Sequence, residues 1–76
     1  MNKARRKELS RAVELMEEAR DIIDNCIVDE QEYLENMPEN LQYSEKHDIA
    51  EAAVDAMERA IESVEDAISN AEEASE

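Results

Sequence analysis

His47 is the only histidine in a chain of 76 residues, and it lies one residue before Asp48 and four before Glu51. On a helix, an offset of four puts the imidazole and the Glu51 carboxylate on one face, where they could share a proton or begin a metal site. Metal chemistry asks for more donors. Helical di-metal sites draw Glu-x-x-His from each of two helices, and three residues before His47 the chain has Ser44. His47 therefore reads as structural, at the edge of a packed stripe. Cys26, the one cysteine, has no neighbouring base to activate it and no second thiol for an intrachain disulfide. Its place in an apolar stripe predicts a buried, small hydrophobe. Without a single glycine the chain cannot form a glycine-rich phosphate loop. These residues predict no enzyme, no metal and no cofactor.

Carboxylates are the abundant chemistry. The chain carries 22 acidic and 8 basic residues, a net charge of −14. Residues 1–11 hold five cations against one acid, a net of +4, and the other 65 hold three cations against 21 acids, a net of −18. Phosphate binding depends on cation contacts and counterion release, so direct nucleic-acid binding is not expected of such a body. It suits a basic surface instead. Glu51, Asp55, Glu58, Glu62, Glu65 and Asp66 are the candidate acidic interaction surface, either standing in for phosphates in a basic groove or forming a solvated helix face that keeps the protein soluble. The opposite chemistry sits in Lys3, Arg5, Arg6, Lys7 and Arg11. They open a helix whose free N–H groups and dipole favour an anion, so convergence of several such ends in an oligomer would sequester an anionic signalling nucleotide. Alternatively the cations pair with Glu72, Glu73 and Glu76 or fray in solvent.

The elements that position these groups follow from composition and period. No glycine, one proline and only two aromatic residues exclude sandwiches and barrels, leaving an all-α chain of one domain. Leu9, Met16, Ile23, Glu30 and Met37 recur every seven residues, flanked by Ala12, Ala19, Cys26 and Tyr33 on one side and by Val13, Arg20, Ile27 and Leu34 on the other. In the second half Ala53, Ala60, Ala67 and Ala74 form an alanine ladder, flanked by Ala50, Met57, Val64 and Ala71 and by Val54, Ile61 and Ile68. A repeat of about 3.5 residues is that of helices packed at a shallow angle. Pro38 ends helix one, since proline disfavours helix at the residue before it, and Ser44 caps helix two, with Glu45 and Asp48 in its first turn.

The expected architecture is a two-helix antiparallel hairpin with an alanine-rich close-packed seam. Helix one covers about residues 2–36, the connection about 37–44 and helix two about 45–74. Arms of roughly 30 residues make a rod about 45 Å long at about 1.5 Å per residue. Arg20 and Glu30 interrupt the apolar rows; they either meet opposite charges across the bundle and fix its register or, as expected here, lie at the rim, where a long side chain reaches water. Tyr33, Met37, Tyr43 and His47 gather near the connection as a cap on the core or a binding patch. Apolar surface exceeding what one hairpin covers predicts a homodimer, closed as a four-helix bundle. No run approaches the roughly 20 apolar residues of a membrane span, so no membrane partner and a cytoplasmic location are expected.

The stretch EYLENMPENLQYSEKHDIAEAAVDAMERAIESVEDAI, with Asn36-Met37-Pro38-Glu39-Asn40-Leu41-Gln42 at its turn and Ser44-Glu45 after it, resembles short acidic helical-hairpin proteins encoded by bacteriophages and prophages. The resemblance covers most of the chain, but its motif is a connection and carries no functional residue across. It implies a phage accessory protein acting in the host cytoplasm, of the kind that inhibits host defence, with a basic-surfaced host protein as partner. Three classes of function follow: an inhibitor acting through an acidic surface, a sponge for an anionic nucleotide, and a structural or assembly bundle.

Overall fold

The structure is a computed structural model that describes residues 1–42 and 44–76. It is a helical hairpin of α1, Lys3–Glu35, and α2, Glu45–Ala74, joined through a single 3-10 turn at Glu39–Leu41. Both helices start on side-chain caps. Asn2 is the N-cap of α1, its Oδ1 accepting from the Arg5 N–H at 2.8 Å. Ser44 is the N-cap of α2, its Oγ accepting from the His47 N–H at 3.3 Å and donating to the Leu41 carbonyl at 2.6 Å. One hydroxyl thus satisfies a free helix N–H and ties the turn to α2, a cap of a kind worth about 1 kcal/mol.

Helix α1 ends on Asn36, whose N–H donates to the Glu32 carbonyl at 3.0 Å. Pro38 follows in an extended conformation (φ −56°, ψ 147°), one residue before the 3-10 turn and outside it. Its carbonyl accepts from the Leu41 N–H at 2.8 Å. The sequence places both helix boundaries within a residue of those observed, because proline and serine mark them chemically. Expectations attached to Tyr43 fall outside the described residues.

The two helices meet along one seam whose positions alternate by four and three. On α1 it runs through Leu9, Met16, Ile23 and Glu30, with Val13, Arg20, Ile27 and Leu34 between them. On α2 it runs through Ala50, Met57, Val64 and Ala71, with Val54, Ile61 and Ile68 between them. Among the described residues Met37, Ala50, Val54 and Ile68 are the buried hydrophobic ones, and no side chain is completely shielded. A two-helix rod has no second layer, so most seam residues stay half-exposed.

The alanine ladder contributes to the seam only at its edge. Ala53 and Ala60 are half-buried, whereas Ala67 and Ala74 are exposed. The parallel row on α1 behaves alike: Ala12 is half-buried, Ala19 and Cys26 exposed. Cys26 is thus not the buried hydrophobe its row suggested. The cause is area. Of adjacent rows on one helix, the aliphatic ones remove more apolar surface from water, at roughly 25 cal/mol per Å², and turn inward, displacing the alanine rows by about one residue of helix rotation.

Arg20 and Glu30 stand in the aliphatic rows and are half-buried, with Glu30 lining an open groove beside Tyr33, Lys46 and Ile49. The Arg20 side chain is 30% exposed, and its nearest carboxylate is the adjacent Asp21, with Nε to Oδ1 at 3.8 Å. Stretched over the seam, its head still reaches water.

The rod measures 59 Å along its axis and 14 by 12 Å across, longer than arms of 30 residues predict. Two features extend it. The turn at Glu39–Leu41 adds length at one end. At the other, a shared groove sets Ser10 and Val13 of α1 beside Glu72 and Ser75 of α2, so the first residues of α1 run past the end of α2.

Candidate interaction faces

In an antiparallel pair, the positions flanking the seam on one side of α1 meet the equivalent flank of α2, so the hairpin has two distinct broad faces. One face is acidic. On α2, Glu51, Asp55, Glu58, Glu62 and Glu65 follow one another at alternating steps of four and three, all exposed, with Asp66 adjoining them. On α1, Glu14, Glu17, Asp21 and Asp24 form a matching exposed row. The two rows belong to the same side: Glu14 and Glu17 share a groove with Glu72 and Glu76. Following the antiparallel register back from that groove sets Asp21 and Asp24 beside the C-terminal half of the α2 row, near Glu62 and Glu65. The result is a two-helix acidic ridge.

Few cations relieve it. Among the described residues the ion pairs are Arg11 with Glu14 at 3.4 Å and Arg20 with Asp21 at 3.8 Å, joined by His47 with Asp48 and Glu51 at 3.8 and 3.4 Å when the imidazole carries a proton. None of these joins the two helices, and none reaches Asp55, Glu58, Glu62, Glu65 or Asp66. Two carboxylates per heptad give α2 about one negative charge per 5 Å of axis, and where Glu14, Glu17, Asp21 and Asp24 run beside it the ridge reaches about one per 2.6 Å, against about one per 1.7 Å in duplex DNA. Beside Glu51 and Asp55 the matching α1 positions are Val28 and Gln31, and the ridge there is a single row. Like charges so arranged also repel one another across the seam, a cost that a cationic partner would relieve.

The other face is apolar. On α1, Leu15 and Ile22 alternate with Ala12, Ala19 and Cys26, and on α2, Ile49 and Ala56 alternate with Ala53 and Ala60. Tyr33, Ile49 and Ala53 share one groove, showing that these rows too lie on one side. Leu15, Ile22 and Ile49 are 48%, 61% and 62% exposed. The displaced alanine rows thus have a location and a consequence, a second helix-packing surface turned to solvent.

The remaining candidates do not assemble. Met37 is buried at the closed end of the seam, His47 half-buried there, and Tyr33 exposed on the apolar face, so the expected loop-end patch is divided between core and surface. The His47 Nδ1 is buried, and its approach to Glu51 lacks hydrogen-bond geometry although the distance allows an ion pair. Among the described residues no group of three His, Cys, Asp or Glu side chains is placed to hold a metal ion.

Lys3, Arg5, Arg6 and Lys7 are all exposed on the part of α1 that overhangs α2; Lys3, Lys7 and Arg11 follow at steps of four on one side of the helix, with Lys7 and Arg11 lining one open groove beside Glu8 and Glu14, and Arg5 lies on the opposite side. The tail carboxylates Glu72 and Glu76 lie by Ser10, Glu14 and Glu17, and the pairing expected between the tail and the basic segment is absent from the ion pairs of the described residues. One free N–H of that helix start is already taken by Asn2. No helix is long and apolar enough to cross a membrane.

The acidic row was legible as a heptad of carboxylates in α2, whereas its continuation through Glu14, Glu17, Asp21 and Asp24 was missed. The signal was present: both rows sit one position outside the aliphatic repeat. Compared with models of protein families, with curated proteins and with solved structures, the chain has no match.

Proposed function

We propose that the chain is a non-enzymatic interaction protein whose acidic ridge occupies a basic, nucleic-acid-binding surface on another protein. The observation that carries this reading is the two-helix ridge, whose α2 carboxylates Asp55, Glu58, Glu62, Glu65 and Asp66 enter no ion pair among the described residues. A rigid helical rod presents these charges at little entropic cost, and a basic groove offers the long-range attraction that brings the two together. The resemblance of the connection and second helix to phage-encoded hairpins supplies the class of target, a host defence or nucleic-acid enzyme in the bacterial cytoplasm, and inhibition follows from steric occupation of its groove.

The α2 row of the ridge can be stripped of most of its charge without touching the seam, because Glu51, Glu58, Glu62 and Glu65 are all exposed. Wild type and the fourfold Glu→Gln variant, immobilised at equal density, are to be compared as baits in bacterial lysate at low ionic strength, where such contacts are strongest. Nucleic-acid-binding proteins recovered by wild type and reduced at least about tenfold on the variant, a loss of about 1.4 kcal/mol or more, are the expected result. Equal recovery by both baits, or none by either, would remove the ridge as the functional surface.

A further inference from the structure

We propose that the apolar face opposite the ridge is closed by a second copy of this chain, giving a four-helix bundle with both acidic ridges on its outside. The first argument is area. The hairpin exposes 5859 Å², whereas a folded monomer of its 8.7 kDa mass exposes about 4,700 Å². The excess, about 1,100 Å², slightly exceeds the roughly 600–1,000 Å² that each partner gives to a stable dimer. Its radius of gyration, 17.3 Å, likewise exceeds the roughly 11 Å of a compact chain of this length.

The second argument is complementarity. Between residues 12 and 26 on α1 and between 53 and 67 on α2 the face positions carry no charge, so the basic partner suited to the ridge finds no counterpart here. A copy does. On α1 the face is raised by Leu15 and Ile22; on α2, over the same length of rod, it offers alanines and Ser63. A two-fold axis parallel to the helices lays α1 of each copy on α2 of the other, seating the larger side chains over the alanine rows. That contact is isologous and closes without leaving a repeat exposed. Alanine rows allow helix axes to approach at the short end of the usual 8–10 Å, which increases the dispersion gained per residue. The ridges face away, so their mutual repulsion is small and falls further with salt.

Sedimentation equilibrium tests the proposal. Wild type at about 10–100 µM is expected at twice the 8.7 kDa chain mass. Ile22→Glu and Ala56→Glu alter exposed positions outside the seam, and each is expected to give the monomer mass with a helical circular dichroism spectrum. Cys26 lies on the same face and supplies an independent readout: its modification by a thiol reagent should slow at least about tenfold as wild type passes from monomer to dimer concentrations. Monomer mass for wild type throughout that range would overturn the proposal and leave the face to a different protein. So would a mass above the dimer, retention of dimer mass by both variants, or a thiol rate independent of concentration.

Discussion

Ile68→Asp should remove most or all of the hairpin's stability, with the helical signal at 222 nm falling well below that of wild type at 25 °C and the thermal midpoint dropping toward or below that temperature. Ile68 is one of the few buried residues, at 8% exposure, and stands in the seam between Val64 and Ala71. An unpaired carboxylate there costs about 3–5 kcal/mol, including the lost apolar contact. At about 0.05–0.15 kcal/mol per residue a chain of this length holds a total of about 4–11 kcal/mol, and an elongated rod with half-exposed packing belongs at the lower end. The substitution therefore removes most or all of it. Ser69→Asp, one residue along and exposed, should change stability by no more than about 0.5 kcal/mol. Equal effects at the two positions would show that the seam runs elsewhere.

Arg20→Leu combined with Glu30→Leu should act in the opposite sense and stabilise the protein. Both residues occupy seam positions in otherwise aliphatic rows, and neither has a cross-helix partner among the ion pairs of the described residues. Arg20 has only the weakly held contact with exposed Asp21, worth at most about 1 kcal/mol. Leucine at each site adds buried apolar area worth about 1–2 kcal/mol. The pair together should raise the thermal midpoint by roughly 10 °C or more, at about 4–8 °C per kcal/mol for a domain of this size. A fall in the midpoint on either single substitution would show that the charge is paired across the seam in solution.

How much of this was legible in the sequence depends on what kind of signal each feature carries. Helix boundaries rest on single residues with strong local preferences, Pro38 and Ser44, and these were read to within a residue. The heptad period was equally plain. Which face of the heptad turns inward was harder, because Ala53 and Val54, or Ala12 and Val13, differ by one step around the helix and belong to equally regular rows. Alanine spacing suggested a close-packed centre, but burial energy scales with area and gave the centre to Val54, Ile61 and Ile68.

Arg20 and Glu30 interrupt otherwise aliphatic rows, and in a hairpin lacking a second layer a charge there costs little, since a half-exposed position lets the charged head reach water as a rim position does. Pairing between the basic start and acidic tail was expected from the hairpin topology alone. The actual register depends on how many residues the turn consumes, and it leaves Lys3 to Lys7 overhanging, with Glu72 and Glu76 beside Ser10, Glu14 and Glu17. The second row of the ridge needed that same register before Glu14, Glu17, Asp21 and Asp24 could be placed beside α2.

Competition against nucleic acid tests the central claim most directly, because capture alone does not distinguish occupation of a basic groove from binding elsewhere. A nucleic-acid-binding protein recovered by wild-type bait is to be loaded with a fluorescent duplex oligonucleotide, and the hairpin titrated in while anisotropy is followed. The account predicts that anisotropy falls to that of free duplex at saturating hairpin, that the Glu51, Glu58, Glu62, Glu65→Gln variant needs at least about ten times the concentration, and that added salt weakens both ligands in parallel. Anisotropy that stays high or rises on addition of saturating hairpin, as protein, duplex and hairpin form one complex, would contradict it.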